Sequence, residues 1–296
     1  MINTLLIILE QAALHLPLML GAYISFSLLK VPDLSIETAY VVGALIGSKV
    51  LLGTQSLPLV FVLVAVLCAS CIGGGIVGLS SSLMTQKARL PHLLSSIITF
   101  GLFHGINQLI WPPYVSLQQS LNPLVIISSG HAHPELATIL LIGAIGTVLV
   151  FLLLKTQLGY ACAVYGDNAH FFAHYGISKN FVFITGIVIS NALAGLSGYL
   201  FAQSNNFFEI NMALGKALLC ITALILGKVL VRTKKPFSLF IPVVGTVAYF
   251  TLQQLLLKVG FNLKYFTAMQ SVIVLIILMY TYRNKSAHES IDNLGV

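Results

Sequence analysis

The chain has 296 residues, of which 57% are hydrophobic and only 8% are charged, and its mean hydropathy is +0.96. A soluble domain carries about 25% charged residues, so this composition excludes an ordinary soluble protein and indicates a polytopic membrane protein. The formal net charge is +7, but the basic residues stand in short clusters between apolar runs. This distribution favours topology signals and contacts with membrane lipid over a nucleic-acid partner.

Apolar segments long enough to cross a membrane recur along the whole chain. Since a spanning helix needs about 20 apolar residues, we predict an all-α fold with about nine transmembrane helices (8–10). In the first segment Pro17 removes a backbone donor, which predicts a bent or broken helix there. In the second, Gly43 and Gly47 have the spacing that permits close helix contact. The segments are residues 5–29, 37–54, 57–84, 92–112, 136–155, 180–203, 214–231, 236–257 and 265–282.

The basic residues predict the orientation of these segments. If the N-terminus lies outside, the inner segments hold 11 of the 15 basic residues, as the positive-inside rule requires. We therefore predict an outer N-terminus, a cytoplasmic loop at residues 156–179 and a cytoplasmic tail at residues 283–296.

The sequence "YGDNAHFFAHYGISKN", residues 165–180, lies in the predicted cytoplasmic loop and ends at the first residue of the next predicted span. Asp167 or Asn168 suits an N-cap and Gly176 suits a C-terminal stop, so we predict a short separate helix between two spans. Its other polar and aromatic side chains are His170, Phe171, Phe172, His174 and Tyr175.

Three functions are open for this short helix. His170 and His174 have the spacing of two metal-binding imidazoles, but no HExxH glutamate and no third strong ligand follow, so we expect no metal. A second alternative is an amphipathic helix on the lipid surface. The third is docking in a groove of a partner protein through the aromatic side chains Phe171, Phe172 and Tyr175.

Two stretches of the chain resemble each other. Residues 31–52 begin with Asp33-Leu34-Ser35 and contain "ALIGSKVL", whereas residues 206–231 contain Glu209-Ile210-Asn211 and "ALILGKVL". In the predicted topology the first copy enters the membrane from inside and the second from outside, as in an inverted-topology repeat. We predict one transmembrane domain, residues 1–296, with repeats at about 5–112 and 180–282.

Polar side chains within or beside apolar spans are candidates for a solute path, because they are costly there without a function. Helix capping is the alternative for Asp33 and Glu209, interhelical hydrogen bonding for Asn191, and structural packing for the stripe that contains His104. The candidates are Asp33, Ser35, Glu37, His104, Asn107, Asn191, Glu209 and Asn211.

Two longer motifs resemble a known family. "LGAYISFSLLKVPDLSIETAYVVGALIG" is similar to the opening of permease subunits of ATP-binding-cassette (ABC) importers, in the branched-chain amino acid and ribose branch. "LGYACAVYGDNAHFFAHYGISKNFVFITGIVISNALAGLSGYLFAQSNNFFEINMALG" resembles the same family, most of all its putative tryptophan/tyrosine or unknown-substrate uptake subgroup. The sequence departs from that subgroup at Thr38 and Ala39, where Gly-Ser is usual, and at Lys228, where an acid is usual.

The resemblance implies an inverted-repeat, type II ABC importer permease in a bacterial plasma (inner) membrane. It implies three kinds of partner: cytoplasmic ABC ATPase subunits, an external substrate-binding protein, and a second permease in a homodimer or heterodimer. The chain has no G-x-x-x-x-G-K-[ST] motif, so we expect no cofactor on it, with ATP and Mg²⁺ held by the ATPase. The segment from Asp167 to Gly176 would be the helix that couples the ATPase to transport.

No catalytic triad, carboxylate pair or cofactor loop indicates an enzyme. Two alternatives to an ABC importer are open from the residues. One is an ion-coupled secondary transporter with Glu10, Asp33 or Glu209 as the coupling carboxylate. The other is a membrane scaffold that transports nothing.

Overall fold

A computed structural model gives the fold. It describes residues 2–54, 58–117, 134–168, 171–174, 178–231 and 238–260, with residues 124, 265, 268–272, 275 and 279. In chain order the elements are α1 (Ile2–Ala22), a π-helix (Tyr23–Leu28), α2 (Ser35–Gly53), α3 (Leu59–Lys87), α4 (His92–Ile110), β1 (Tyr114–Ser116), α5 (Pro134–Leu154), α6 (Gln157–Asn168), α7 (Phe171–His174), α8 (Lys179–Asn205), β2 (Phe207–Glu209), α9 (Lys216–Leu230) and α10 (Phe240–Lys258).

The predicted polytopic all-α fold is confirmed. Within the described residues, seven helices are long and apolar enough to cross a membrane: α1 with the π-helix, α2, α3, α4, α5, α8 and α10. Helix α9 has 15 residues, or about 22 Å, and so is shorter than the hydrocarbon layer of about 30 Å. The predicted segment 265–282 falls largely outside the described residues.

Of the bend or break predicted at Pro17, the break is wrong. Helix α1 continues through Pro17, and the irregular part follows it as the π-helix Tyr23–Leu28. Two hydrogen bonds from α8 hold α1 on either side of Pro17, at the carbonyls of Leu14 and Gly21. Neighbouring helices thus maintain a helical conformation that the proline alone would disfavour.

Helix α8 lies at the centre of the bundle, in contact with α1, α2 and α3. Two hydroxyls join it to the backbone of α1. Ser190 Oγ donates to the Gly21 carbonyl at 2.8 Å, and Ser197 Oγ donates to the Leu14 carbonyl at 2.7 Å. These bonds connect the antiparallel helices α1 and α8 at two positions along their length. In the other half, α10 contacts α1 and α9.

Glycines bring the backbones of α2 and α8 together. A Cβ added at Gly43 would collide with the backbone of Gly195, and a Cβ added at Gly198 would collide with the Tyr40 carbonyl. The close contact predicted from the G-x-x-x-G spacing is therefore present. Dispersion contacts between backbones replace the hydrophobic effect, which does not drive helices together in lipid.

The outer faces of α3, α4 and α5 expose many leucine, isoleucine and valine side chains. Such faces suit a hydrocarbon surrounding, in which the backbone polar groups are satisfied within the helices. At one end of the bundle, β1 and β2 pair as an antiparallel ribbon, with Tyr114 opposite Glu209. The opposite end of α8, where Lys179 begins the helix, lies beside α6 and the π-helix.

The substitution Gly43→Ala is expected to destabilise the protein, because rigid backbone occupies the space the methyl group needs. Overpacking costs about 1–3 kcal/mol, and we expect the upper end here. The matched control is Gly101→Ala on α4, since nothing lies within 4 Å of a Cβ at Gly101. Thermal unfolding of the detergent-purified variants should show a lower Tm for Gly43→Ala only. An equal Tm for both variants would contradict the close contact.

Candidate functional site

A buried carboxylate organises the first polar cluster. Asp33 lies in the connection before α2, with its side chain fully buried. Its Oδ1 accepts hydrogen bonds from Ser35 N at 2.9 Å and Ser35 Oγ at 2.6 Å, and its Oδ2 accepts one from Asn191 Nδ2 at 2.8 Å. The cluster thereby joins the start of α2 to the centre of α8.

A histidine completes the surroundings of Asp33. His92 Nε2 lies 3.5 Å from Asp33 Oδ1, and its Nδ1 lies 2.9 Å from Thr85 Oγ1. Burial would raise the pKa of the Asp33 carboxyl, but the imidazole and the hydrogen bonds from Ser35 and Asn191 outweigh burial and hold that pKa below its usual value. The group is therefore a carboxylate at neutral pH.

A second cluster meets at the start of α9. Lys216 Nζ lies 2.8 Å from His15 Nε2 on α1 and 4.6 Å from the ring centre of Phe201 on α8. From α2, Glu37 Oε1 accepts a hydrogen bond from Ala217 N at 3.0 Å. Glu37 thus caps α9, whose own N-cap residue provides no side-chain hydrogen bond, and a carboxylate there also suits the helix dipole.

A small recess of about 10 Å³, room for about one water molecule, lies between α2, α4 and the turn before α9. One wall is the His104 ring stacked on Phe100, with ring centres 5.7 Å apart. Thr38 Oγ1 and Asn107 Nδ2 are buried and have no hydrogen-bond partner within the described residues. The lining residues are Thr38, Val41, Phe100, His104, Asn107, Ile210, Ala213 and Leu214.

The predicted coupling segment differs from expectation at its start. Asp167 and Asn168 are the last residues of α6, whereas the sequence predicts one of them as the N-cap of the following helix; that capping role stays a prediction. Helix α6 continues further because it packs on the π-helix and α8. Asp167 instead pairs with Lys30 at 2.6 Å, with both side chains more than half exposed. An exposed pair of this kind stabilises by about 0–1 kcal/mol.

The following short helix, α7, has one exposed and one buried phenylalanine. Phe171 is 42% exposed, whereas Phe172 is 2% exposed with its ring centre 6.4 Å from that of Tyr165 on α6. The expectation that both rings face a partner therefore does not hold for Phe172. His174 ends α7, and the predicted residues His170, Tyr175 and Gly176 lie outside the described residues.

A metal on the two histidines stays untested, because only one of them is described. Across the described ranges, no group of three His, Cys, Asp or Glu side chains lies close enough together to hold a metal ion.

The structure places the predicted path residues in several separate parts of the protein. Asp33, Ser35 and Asn191 form the first cluster, and Glu37 belongs to the second. The remaining four lie elsewhere: His104 and Asn107 line the recess, Glu209 lies in β2, and Asn211 is exposed in the turn before α9. Their part in transport stays a prediction.

Sequence reasoning missed two members of these clusters, His92 and Lys216. His92 follows a proline at a helix start, a position typical of a membrane interface, and no local pattern reveals its contact with Asp33. For Lys216 a signal existed. The apolar helix that it begins is too short to span the hydrocarbon layer, which is consistent with a start inside the bundle.

Comparison with known proteins gives the family. Residues 4–280 match the family of branched-chain amino acid transport system permease components. The chain belongs to this family. It is a membrane-embedded permease component of an ABC transport system, and such a system also includes an ATPase and a binding protein.

The permease has relatives among curated proteins. It is 32% identical to an uncharacterized protein of Rickettsia prowazekii over 88% of its own length and 91% of the relative's. It is 34% identical to the tyrosine transport system permease protein of Clostridioides difficile, over 70% of its length and 67% of the relative's. It is 24% identical to the autoinducer 2 import system permease protein LsrC of Escherichia coli, over 76% and 64%. No solved structure matches the permease.

Removal of the Asn191 amide is expected to destabilise the permease, because Asp33 Oδ2 then loses its buried donor. Loss of a hydrogen bond to a buried charge costs about 3 kcal/mol. Asn191→Leu should therefore lower the Tm of the detergent-purified protein. The control is Asn205→Leu on the same helix, because Asn205 is exposed and its amide donates to the Phe201 carbonyl of its own helix.

An exchange of the two polar groups provides a second check. Asn191→Asp alone places two carboxylates together and should destabilise strongly. The double variant Asp33→Asn/Asn191→Asp restores one carboxylate and one amide, and should recover part of the Tm. If the double variant is no more stable than Asn191→Asp, the direct bond between the two side chains is not what stabilises the cluster.

Proposed function

We propose that this permease carries a small solute, an amino acid or a similar molecule, across a bacterial inner membrane, as the transmembrane part of an ATP-driven importer. The observation that carries the proposal is the 34% identity, over 212 residues, with the tyrosine transport system permease protein. The relative named for autoinducer 2 import is less similar, at 24% identity. An amino acid is therefore the better-supported class of solute.

The orientation follows from the basic residues. The end of the bundle that carries Lys30 and Lys179 would face the cytoplasm, since inner loops hold most of the cations. The β1–β2 ribbon then faces outward, where a binding protein would deliver the solute.

We assign two inverted repeats, at about residues 5–112 and 180–282. Helix α3 packs on α2 and α8, and α10 packs on α9 and α1. If α1 is exchanged with α8, α2 with α9 and α3 with α10, the two contacts of α3 become the two contacts of α10. This correspondence supports an alternating-access mechanism, in which one repeat moves against the other around a central path.

The energy would come from other subunits. We propose a dimer of permeases, either two copies or two related chains, with two ATPase subunits on the cytoplasmic side. ATP and Mg²⁺ would bind to the ATPase and no cofactor to this chain, so all ATP hydrolysis would belong to the partner.

The coupling contact is assigned to α7. Phe171 presents an exposed ring of the kind that forms hot spots in protein interfaces. Phe172, buried against Tyr165, anchors the short helix from behind. The pair formed by Lys30 and Asp167 ties the end of α6 to the connection after the π-helix. ATPase movement at Phe171 would therefore reach the start of α2.

Reconstitution tests the proposed function. Proteoliposomes that contain the permease, its ATPase and its binding protein should take up labelled tyrosine only when ATP is present on the side of the membrane that carries the ATPase. ATP-independent uptake by the permease alone under a proton or sodium gradient would instead establish a secondary transporter and contradict the proposal. A complex that assembles but moves none of a panel of amino acids would contradict the solute class.

Phe171→Ala is expected to lower tyrosine uptake and binding-protein-stimulated ATP hydrolysis by about tenfold or more, because truncation of a hot-spot ring costs about 2 kcal/mol. The Tm of the permease alone should change little. Phe172→Ala should instead lower the Tm, because it removes a buried ring.

The control is Phe181→Ala, in the first turn of α8, where the ring is 61% exposed. Its uptake should stay within about twofold of the wild type, as is usual for exposed positions away from an interface. If the assembled Phe171→Ala complex transports at the wild-type rate, α7 is not the coupling contact.

A further inference from the structure

A crevice opens on the apolar outer side of the bundle, along α1. Helices α5 and α10 both pack on α1, and the space left between them has a volume of about 160 Å³. The floor of the crevice is formed by the buried Ala12 and Ala13, and its rim by Leu140 and Val247, which are 41% and 38% exposed. Small side chains on α1 thus leave room that the larger residues beside them do not fill.

The crevice continues along the same two helices as a groove between the first turns of α1 and the last two turns of α10. This groove also has a volume of about 160 Å³, and Lys258 lies at its end. Ile8 lines the groove and Leu9, its neighbour on α1, lines the crevice. The two parts therefore form one continuous furrow from Lys258 to Val243, which we call the α1–α10 furrow.

The length of the α1–α10 furrow matches one leaflet of a bilayer. Val243 and Lys258 are 15 positions apart on α10, which along an α-helix amounts to about 22 Å. One leaflet, with its headgroup layer, is about 20–22 Å thick. The furrow begins at the end of the bundle that carries the β1–β2 ribbon, because Glu10 of α1 lies beside Ser204, near the end of α8 that β2 follows.

The charge of the furrow is confined to one end. Lys258 is exposed at the C-terminus of α10 and takes part in neither of the two ion pairs found among the described residues. Thr4 and Gln254 lie beside it. The described lining of the crevice is apolar apart from Thr246, whose hydroxyl donates to the Pro242 carbonyl of its own helix. A cation at the membrane surface followed by an apolar channel complements a phosphate group that carries a hydrocarbon chain.

An amino acid does not fit the α1–α10 furrow. Both of its charged groups need polar partners when they leave water, and none of the described residues that line the furrow is an acid that could pair with the ammonium group. A hydrocarbon chain needs no such partner. The furrow therefore suits a lipid better than the transported solute.

We infer that the α1–α10 furrow binds a phospholipid of the leaflet on the side of the β1–β2 ribbon, with an anionic headgroup at Lys258 and one acyl chain in the crevice. In the proposed orientation this is the outer leaflet. Helices α1 and α10 belong to the two assigned repeats, so the lipid lies between parts that would move against each other. The inference does not depend on the identity of the solute.

Native mass spectrometry of the detergent-purified permease tests the headgroup, with titrations of phosphatidylglycerol and phosphatidylcholine of equal chain length. The wild type should bind phosphatidylglycerol about fivefold more tightly, the effect of one lysine near an anionic lipid. Lys258→Gln should abolish this preference. The control Lys49→Gln should retain it, because Lys49 is an exposed lysine at the same end of the bundle that lies over the Trp111 ring instead. Glycerol phosphate, which lacks the chains, should not displace the lipid at equal concentration.

A variant that fills the crevice tests the acyl chain. Gly143 of α5 lines the crevice, and an added Cβ there makes only ordinary contacts, the nearest with the Ala13 carbonyl at 3.6 Å. Gly143→Leu should therefore fold and bind both lipids about tenfold more weakly, as expected when about two methylene groups lose their contacts. The matched control is Gly146→Leu on the same helix, because Gly146 does not line the crevice and nothing lies within 4 Å of its added Cβ. It should bind both lipids as the wild type does, and the Tm without added lipid should be the same for the two variants.

Each part of the inference has an outcome that overturns it. Equal affinity of the wild type for the two lipids, an unchanged preference in Lys258→Gln, or displacement by glycerol phosphate would show that Lys258 does not bind a lipid headgroup. Unchanged lipid binding in Gly143→Leu would show that no acyl chain lies in the crevice. The same spectra count copies of the chain. If Gly143→Leu separates dimers into monomers and leaves lipid binding unchanged, a second copy occupies the crevice instead of a lipid.

Discussion

The centre of this permease depends on contact between backbones. Helix α8 approaches α2 and α3 so closely that glycine is required on both sides, as at Gly43, Gly74 and Gly195. In a membrane, apolar side chains gain little by leaving lipid for protein, so helices associate through close dispersion contacts and polar bonds. The first polar cluster lies beside this contact, where Asn191 of α8 donates to Asp33 before α2.

Much of the fold could be predicted from the sequence, because hydrocarbon imposes a single length scale on every spanning helix. The segment boundaries at α2, α4 and α5 follow directly from apolar runs. The prediction failed where a neighbour changes the local preference. Pro17 does not break α1, since α8 bonds that helix on either side of the proline. Helix α6 extends through Asp167 and Asn168, since it packs against α8. Propensity is local, whereas both outcomes depend on tertiary contacts.

The site was predictable in its residue types but not in its groupings. The search for polar residues in or beside apolar segments singled out Asp33 and Asn191, which meet although they are far apart in sequence. The same reasoning could not pair Glu37 with the start of α9. In the alignment of "ALIGSKVL" with "ALILGKVL", Glu37 falls opposite Lys216. The two similar segments thus differ in charge at the position where they approach each other, and a carboxylate from one caps the helix of the other.

The two serine bonds between α1 and α8 have a mechanical consequence. Ser190 and Ser197 bond carbonyls at two levels of an antiparallel partner, so sliding of α1 along α8 would break both bonds at once in a medium that offers no replacement. A movement of one assigned repeat against the other would therefore keep α1 and α8 in register along their length, and would proceed by tilting or rotation about their contact.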